Sequence, residues 1–99
     1  MNEIARLPEI YQKNIYRATE ILREAGCTDV FLFGSLAAGE IRDKSDIDLA
    51  VRSCPKGRFF HVLGRLVLEL DYPVDLVNLD RRDAFGRYLE KEGELIPIG

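Results

Sequence analysis

Apolar side chains recur at helical spacing from Ile4 and Leu7 through Tyr11, Ile15, Ala18, Leu22 and Ala25. This one-sided stripe predicts an amphipathic helix. Pro8 suits its first turn, Glu9 complements the helix dipole, and Gly26 is a natural stop. The period then changes. Val30 to Phe33 is an apolar run predicting a buried strand over about Asp29 to Phe33, ended by Gly34. Asp46-Ile47-Asp48-Leu49-Ala50-Val51 alternates instead, which predicts a half-buried strand over about Asp46 to Arg52. Its period of two sets Ile47, Leu49 and Val51 on one face and Asp46 and Asp48 together on the other. Between the strands, Ser35 is expected to cap a short helical turn, and Gly39 leads into a charged loop, Glu40 to Lys44.

Ser53-Cys54-Pro55-Lys56-Gly57 reads as a turn. From about Arg58 the apolar positions Phe59, Val62, Leu63, Leu66, Val67 and Leu70 predict a second helix with a broad buried stripe. Gly64 costs that helix about 1 kcal/mol relative to Ala, which suggests close packing there. Pro73 is tolerable as the first residue of a third strand, Val74 to Leu79, which carries Asp75. A short last helix is expected from Arg81 to Lys91, capped by Asp80 and ended by Gly93, with Phe85, Tyr88 and Leu89 on its packing side. The apolar tail Leu95-Ile96-Pro97-Ile98 either joins the sheet edge or docks against a partner. The predicted class is α/β (α+β), one domain over residues 1–99. Its order is α-β-α-β-α-β-α, with a small mixed sheet of three to four strands covered by helices.

Composition narrows the functional classes. A chain of 99 residues holds one core but no second substrate domain. A net charge of −3 without a basic run disfavours direct nucleic-acid binding. Cys27 and Cys54 stand apart, outside any Cys-x-x-Cys or Cys/His cluster, so two reduced thiols in a cytoplasmic protein are expected. Neither a signal sequence nor an apolar run of membrane-spanning length is evident. His61, the only histidine, is expected to be structural or exposed.

The chemistry lies in Gly34-Ser35 and, ten residues further on, Asp46-Ile47-Asp48. Backbone N–H groups at a helix start favour an anion, and a glycine allows a phosphate to approach the backbone. Carboxylates side by side repel, whereas hard oxygen donors converging on one point suit Mg²⁺. A phosphate cradle facing a carboxylate pair is the apparatus of phosphoryl or nucleotidyl transfer. A P-loop fails because Glu40 stands where Lys belongs, and a calcium loop over Asp43 to Asp48 fails because Ile47 takes a ligand position.

Gly-Ser, ten residues and Asp-x-Asp, in a strand–turn–strand context, resemble the signature of the DNA polymerase β-like nucleotidyltransferases, and the short chain resembles their minimal branch. Pro73-Val74-Asp75-Leu76-Val77 fits the family's third carboxylate. The resemblance implies the nucleotidyltransferase fold, with Asp46, Asp48 and Asp75 holding two Mg²⁺ ions and serving as the catalytic residues. It also implies that Gly34 and Ser35 bind the phosphates of ATP. Minimal nucleotidyltransferases commonly act as antitoxins beside HEPN-domain toxins. The implied reaction is therefore AMP transfer from ATP to a hydroxyl, with a HEPN tyrosine as the expected acceptor and an oligomeric complex possible. A non-catalytic module that neutralises a toxin by binding, and a small-molecule nucleotidyltransferase, are the alternatives. One departure stands out: Leu36 and Ala38 occupy positions where the family often carries Arg, leaving Arg42 or Lys44 as substitute cations.

Overall fold

The computed structural model describes residues 2–40, 46–81, 83–93 and 95–99. The elements run α1 (Asn2–Ala5), α2 (Glu9–Glu24), β1 (Asp29–Phe33), α3 (Gly34–Ala37), β2 (Ile47–Arg52), α4 (Phe59–Glu69), β3 (Val74–Asn78), a 3₁₀ turn (Leu79–Arg81), α5 (Ala84–Lys91) and β4 (Ile96–Pro97). The sheet order is β3-β2-β1-β4, with β1 antiparallel to β2 and to β4, and β2 parallel to β3. The expected mixed α/β architecture is therefore present, and the apolar tail takes the sheet-edge option. No helix among the described residues is long and apolar enough to cross a membrane.

Alternation decides which face meets which layer. Val30 and Leu32 of β1, Ile47, Leu49 and Val51 of β2, and Leu76 of β3 face α2 and α4, where Ile15, Ile21, Leu22, Val62 and Leu66 complete the main core. Phe33 and Ala50 belong to a smaller core with Leu79 and Leu89, beneath α5. Asn14 is the buried polar residue of α2. Its side-chain amide donates to Ile10 O and Asp71 Oδ2, and its Oδ1 accepts from Asp71 N at 2.7 Å. That pairing holds the link after α4 against α2 without leaving a buried polar atom unsatisfied.

Several local expectations are corrected. The first helix is two helices, because Pro8, with φ −55° and ψ 148°, is the N-cap of α2 rather than part of its first turn. α5 starts at Ala84, and Asp83 caps it by accepting from Gly86 N at 2.8 Å; Asp80 instead lies in the 3₁₀ turn. Of the packing side expected for α5, Leu89 is buried, whereas Phe85 is 49% and Tyr88 57% exposed. On α4, Val67 faces solvent, and Gly64 has nothing within 4 Å of where a Cβ would stand, so close packing does not explain it.

Cys27 and Cys54 are joined in a disulfide, not kept as separate thiols. Extending the β1–β2 register two residues past the Asp29↔Arg52 pair sets Cys27 opposite Cys54. The loop they close contains β1, α3 and β2.

Candidate active site

Three strands present one row of side chains on the α5 face. Phe33 of β1 is the register partner of Asp48 of β2, and Asp48 is the register partner of Asp75 of β3. Parallel pairing of β2 with β3 thus brings together two carboxylates that lie far apart in sequence. Asp46, immediately before β2, is exposed, Asp48 is half-buried, and Asp75 is exposed on the edge strand. Burial, then the charges of Asp75 and Asp46, raise the Asp48 carboxyl from its ordinary range to about 6.

Gly34 ends the row with φ +76°, a conformation that turns the chain off β1 straight into α3. A Cβ at this position would stand 2.9 Å from Asp48 Cγ and closer still to Oδ2. The missing side chain therefore makes room for the carboxylate of the next strand. Ser35 is half-buried in the first turn of α3, but the N-cap is Phe33 and no side-chain hydrogen bond caps the helix. Leu36 is buried in the main core, which anchors α3 over the sheet, while Ala38 is its exposed C-cap. Arg42, Lys44 and the rest of residues 41–45 lie outside the described residues. His61 is exposed on α4, on the opposite layer from the carboxylates.

The fit of this row to a cation is partial. Among the described residues, no three His, Cys, Asp or Glu side chains are grouped as a ready metal site. Asp48 nevertheless feels the charges of both Asp75 and Asp46, and three hard, mutually repelling carboxylates have the donor chemistry that a divalent cation satisfies.

A family model described as polymerase beta nucleotidyltransferase matches residues 17–97. The chain belongs to this family. The matched span includes all three aspartates and the Gly34-Ser35 turn. Among solved structures, the nucleotidyltransferase domain is similar to a toxin–antitoxin crystal structure with AMP-PNP, at 27% identity and TM-score 0.61 over 84% of this chain and 69% of that one. It is also similar to the toxin–antitoxin complex MntA-HepT, at 25% identity and TM-score 0.58 over 85% of this chain and 69% of that one. No curated relative is significantly similar.

Around the row, structure adds contacts that sequence reasoning missed. Arg52 pairs with Glu90 and lies 5.3 Å from the centroid of the Phe31 ring, tying α5 to the sheet. Ser53, at φ +61°, donates its N–H to Asp80 Oδ2 at 2.8 Å, which fastens the end of β2 to the 3₁₀ turn. Neither contact has a local sequence signal, since each joins residues far apart in the chain. The disulfide did have one, since both cysteines stand two residues outside paired strand ends.

Proposed function

We propose that this nucleotidyltransferase domain is the antitoxin of a toxin–antitoxin pair and transfers AMP from ATP to a hydroxyl of its protein partner, a tyrosine of a HEPN toxin. The observation that carries the reading is the juxtaposition of Asp48 and Asp75, with Asp46 beside them, at the Gly34-Ser35 turn. Similarity to toxin–antitoxin structures, one with AMP-PNP, supports the partner and nucleotide classes.

Asp46, Asp48 and Asp75 would hold Mg²⁺, which supplies positive charge to the triphosphate and the attacking oxygen. Gly34 and Ser35 receive the β- and γ-phosphates. Asp75, on the open edge strand, reaches a partner's hydroxyl and takes its proton as that oxygen forms a bond to the α-phosphorus. The bond from the α-phosphorus to the bridging oxygen breaks, and pyrophosphate leaves. The other two aspartates would help hold the cation against the phosphates and take no part in this proton transfer.

Leu36 favours a second reading, an antitoxin that acts by binding alone. It is buried where the family often places Arg, so α3 offers no cation there. Incubating the chain, its cognate toxin and Mg-ATP, then weighing the toxin, separates the two. An AMP-sized addition supports transfer; full neutralisation of an unmodified toxin supports binding.

A further inference from the structure

Phe85 is out of place for a helix side chain whose helix is already anchored. α5 is fixed by the Asp83 cap, by buried Leu89 and by the Arg52–Glu90 pair, so a polar residue at position 85 would leave those anchors intact. The ring is nonetheless 49% exposed. Its inner edge meets Phe33, with centroids 6.2 Å apart and planes at 66°. Phe33 is the cross-strand partner of Asp48, so one residue separates Phe85 from the carboxylate row. Of the other aromatics on this face, Phe33 is buried, Phe31 lies under the Arg52 guanidinium, and Tyr88 of α5 is also exposed; among the described residues, Phe85 is the exposed ring that meets Phe33.

We propose that Phe85 is the stacking surface for the nucleobase of the nucleoside triphosphate whose phosphates sit at the Gly34–Asp48–Asp75 row. This rests on the nucleotide reading above. A base is joined to the α-phosphate through one ribose, so a ring one residue removed from the carboxylates is where a flat apolar partner is useful. The contact fits any base, because every base has a π-face; discrimination between bases requires polar groups elsewhere.

Calorimetry with Mg-ATP and, separately, Mg-tripolyphosphate tests this. Phe85→Ala weakens ATP binding by roughly 5- to 140-fold and leaves tripolyphosphate binding unchanged. Phe85→Leu, which keeps apolar contact with Phe33 but lacks the π-face, behaves the same way and guards against a folding defect. Phe85→Trp retains ATP affinity, and its fluorescence changes with ATP but not with tripolyphosphate. Phe60→Ala, which removes a 77% exposed ring on α4, changes neither. Wild-type ATP affinity in both Phe85→Ala and Phe85→Leu overturns the proposal, as does equal loss of both ligands. A wild type that binds neither ligand overturns the nucleotide reading and this inference with it, whereas unchanged variants of an ATP-binding wild type overturn this inference alone.

Discussion

Gly34 and Asp48 share one space: the glycine that turns the chain off β1 lacks the side chain that the Asp48 carboxylate would strike. The Gly-Ser turn and the Asp-x-Asp strand, read in sequence as two features, are thus one packing unit. The glycine serves the carboxylate of its own protein before it serves any phosphate.

Gly34→Ala should therefore destabilise the fold by about 2–5 kcal/mol. An alanine in the left-handed region costs about 1–2 kcal/mol, and collision with Asp48 adds an overpacking cost of about 1–3 kcal/mol. In an Asp48→Ala background the same substitution should cost only the conformational part. Denaturant melts of the double-mutant cycle measure the difference. Equal cost in both backgrounds would show that the two residues do not compete for space.

Asp48 also sets a pH dependence. Its folded pKa, about 6, lies above the unfolded value, so the folded state holds the proton more tightly. Ionised Asp48 weighs against the fold above pH ~6, and the metal-free wild type gains stability as pH falls from about 6 to about 4. Asp48→Asn lacks the charge. In chelator it should be more stable than wild type by about 1–2 kcal/mol near pH 7.5, allowing for solvent reaching this half-buried group, and the gap should close by about pH 4. Melts across that range test the sign; a gap that ignores pH would remove charge repulsion as its source.

Periodicity made the strands and the face shared by Asp46 and Asp48 legible, because burial on one side imposes a period of two. It did not reveal which strands pair in parallel, so the Asp48–Asp75 pairing rested on family resemblance until the register was known. The exposure of Phe85, Tyr88 and Val67 was missed for a related reason. Helical spacing identifies an apolar stripe but not how much of it the opposing layer covers. Asn14, on the buried side of α2, has no apolar signal; its burial depends on Asp71, which is 57 residues away.

The Cys27–Cys54 bond closes a loop with a sequence separation of 27. Constraining a loop of that length in the unfolded chain is worth about 3.5 kcal/mol in the chain-entropy model. Reduction, or Cys27→Ser with Cys54→Ser, should therefore lower Tm by about 15 °C. Thermal melts with and without a thiol reductant provide the check, and coincident curves would show that the bond does not stabilise the domain.

The central claim is that the aspartate row performs chemistry. The most direct measurement mixes wild type or Asp48→Asn with the cognate toxin and Mg-ATP and weighs the toxin by mass spectrometry. Removing one carboxylate at a nucleotidyl-transfer centre should cost several kcal/mol of transition-state stabilisation, on the order of a thousandfold in rate. AMP-sized additions are expected with wild type and none, on the same timescale, with the folded Asp48→Asn protein. AMP addition at an equal rate with the variant, or an unmodified toxin that both proteins neutralise fully, would contradict it.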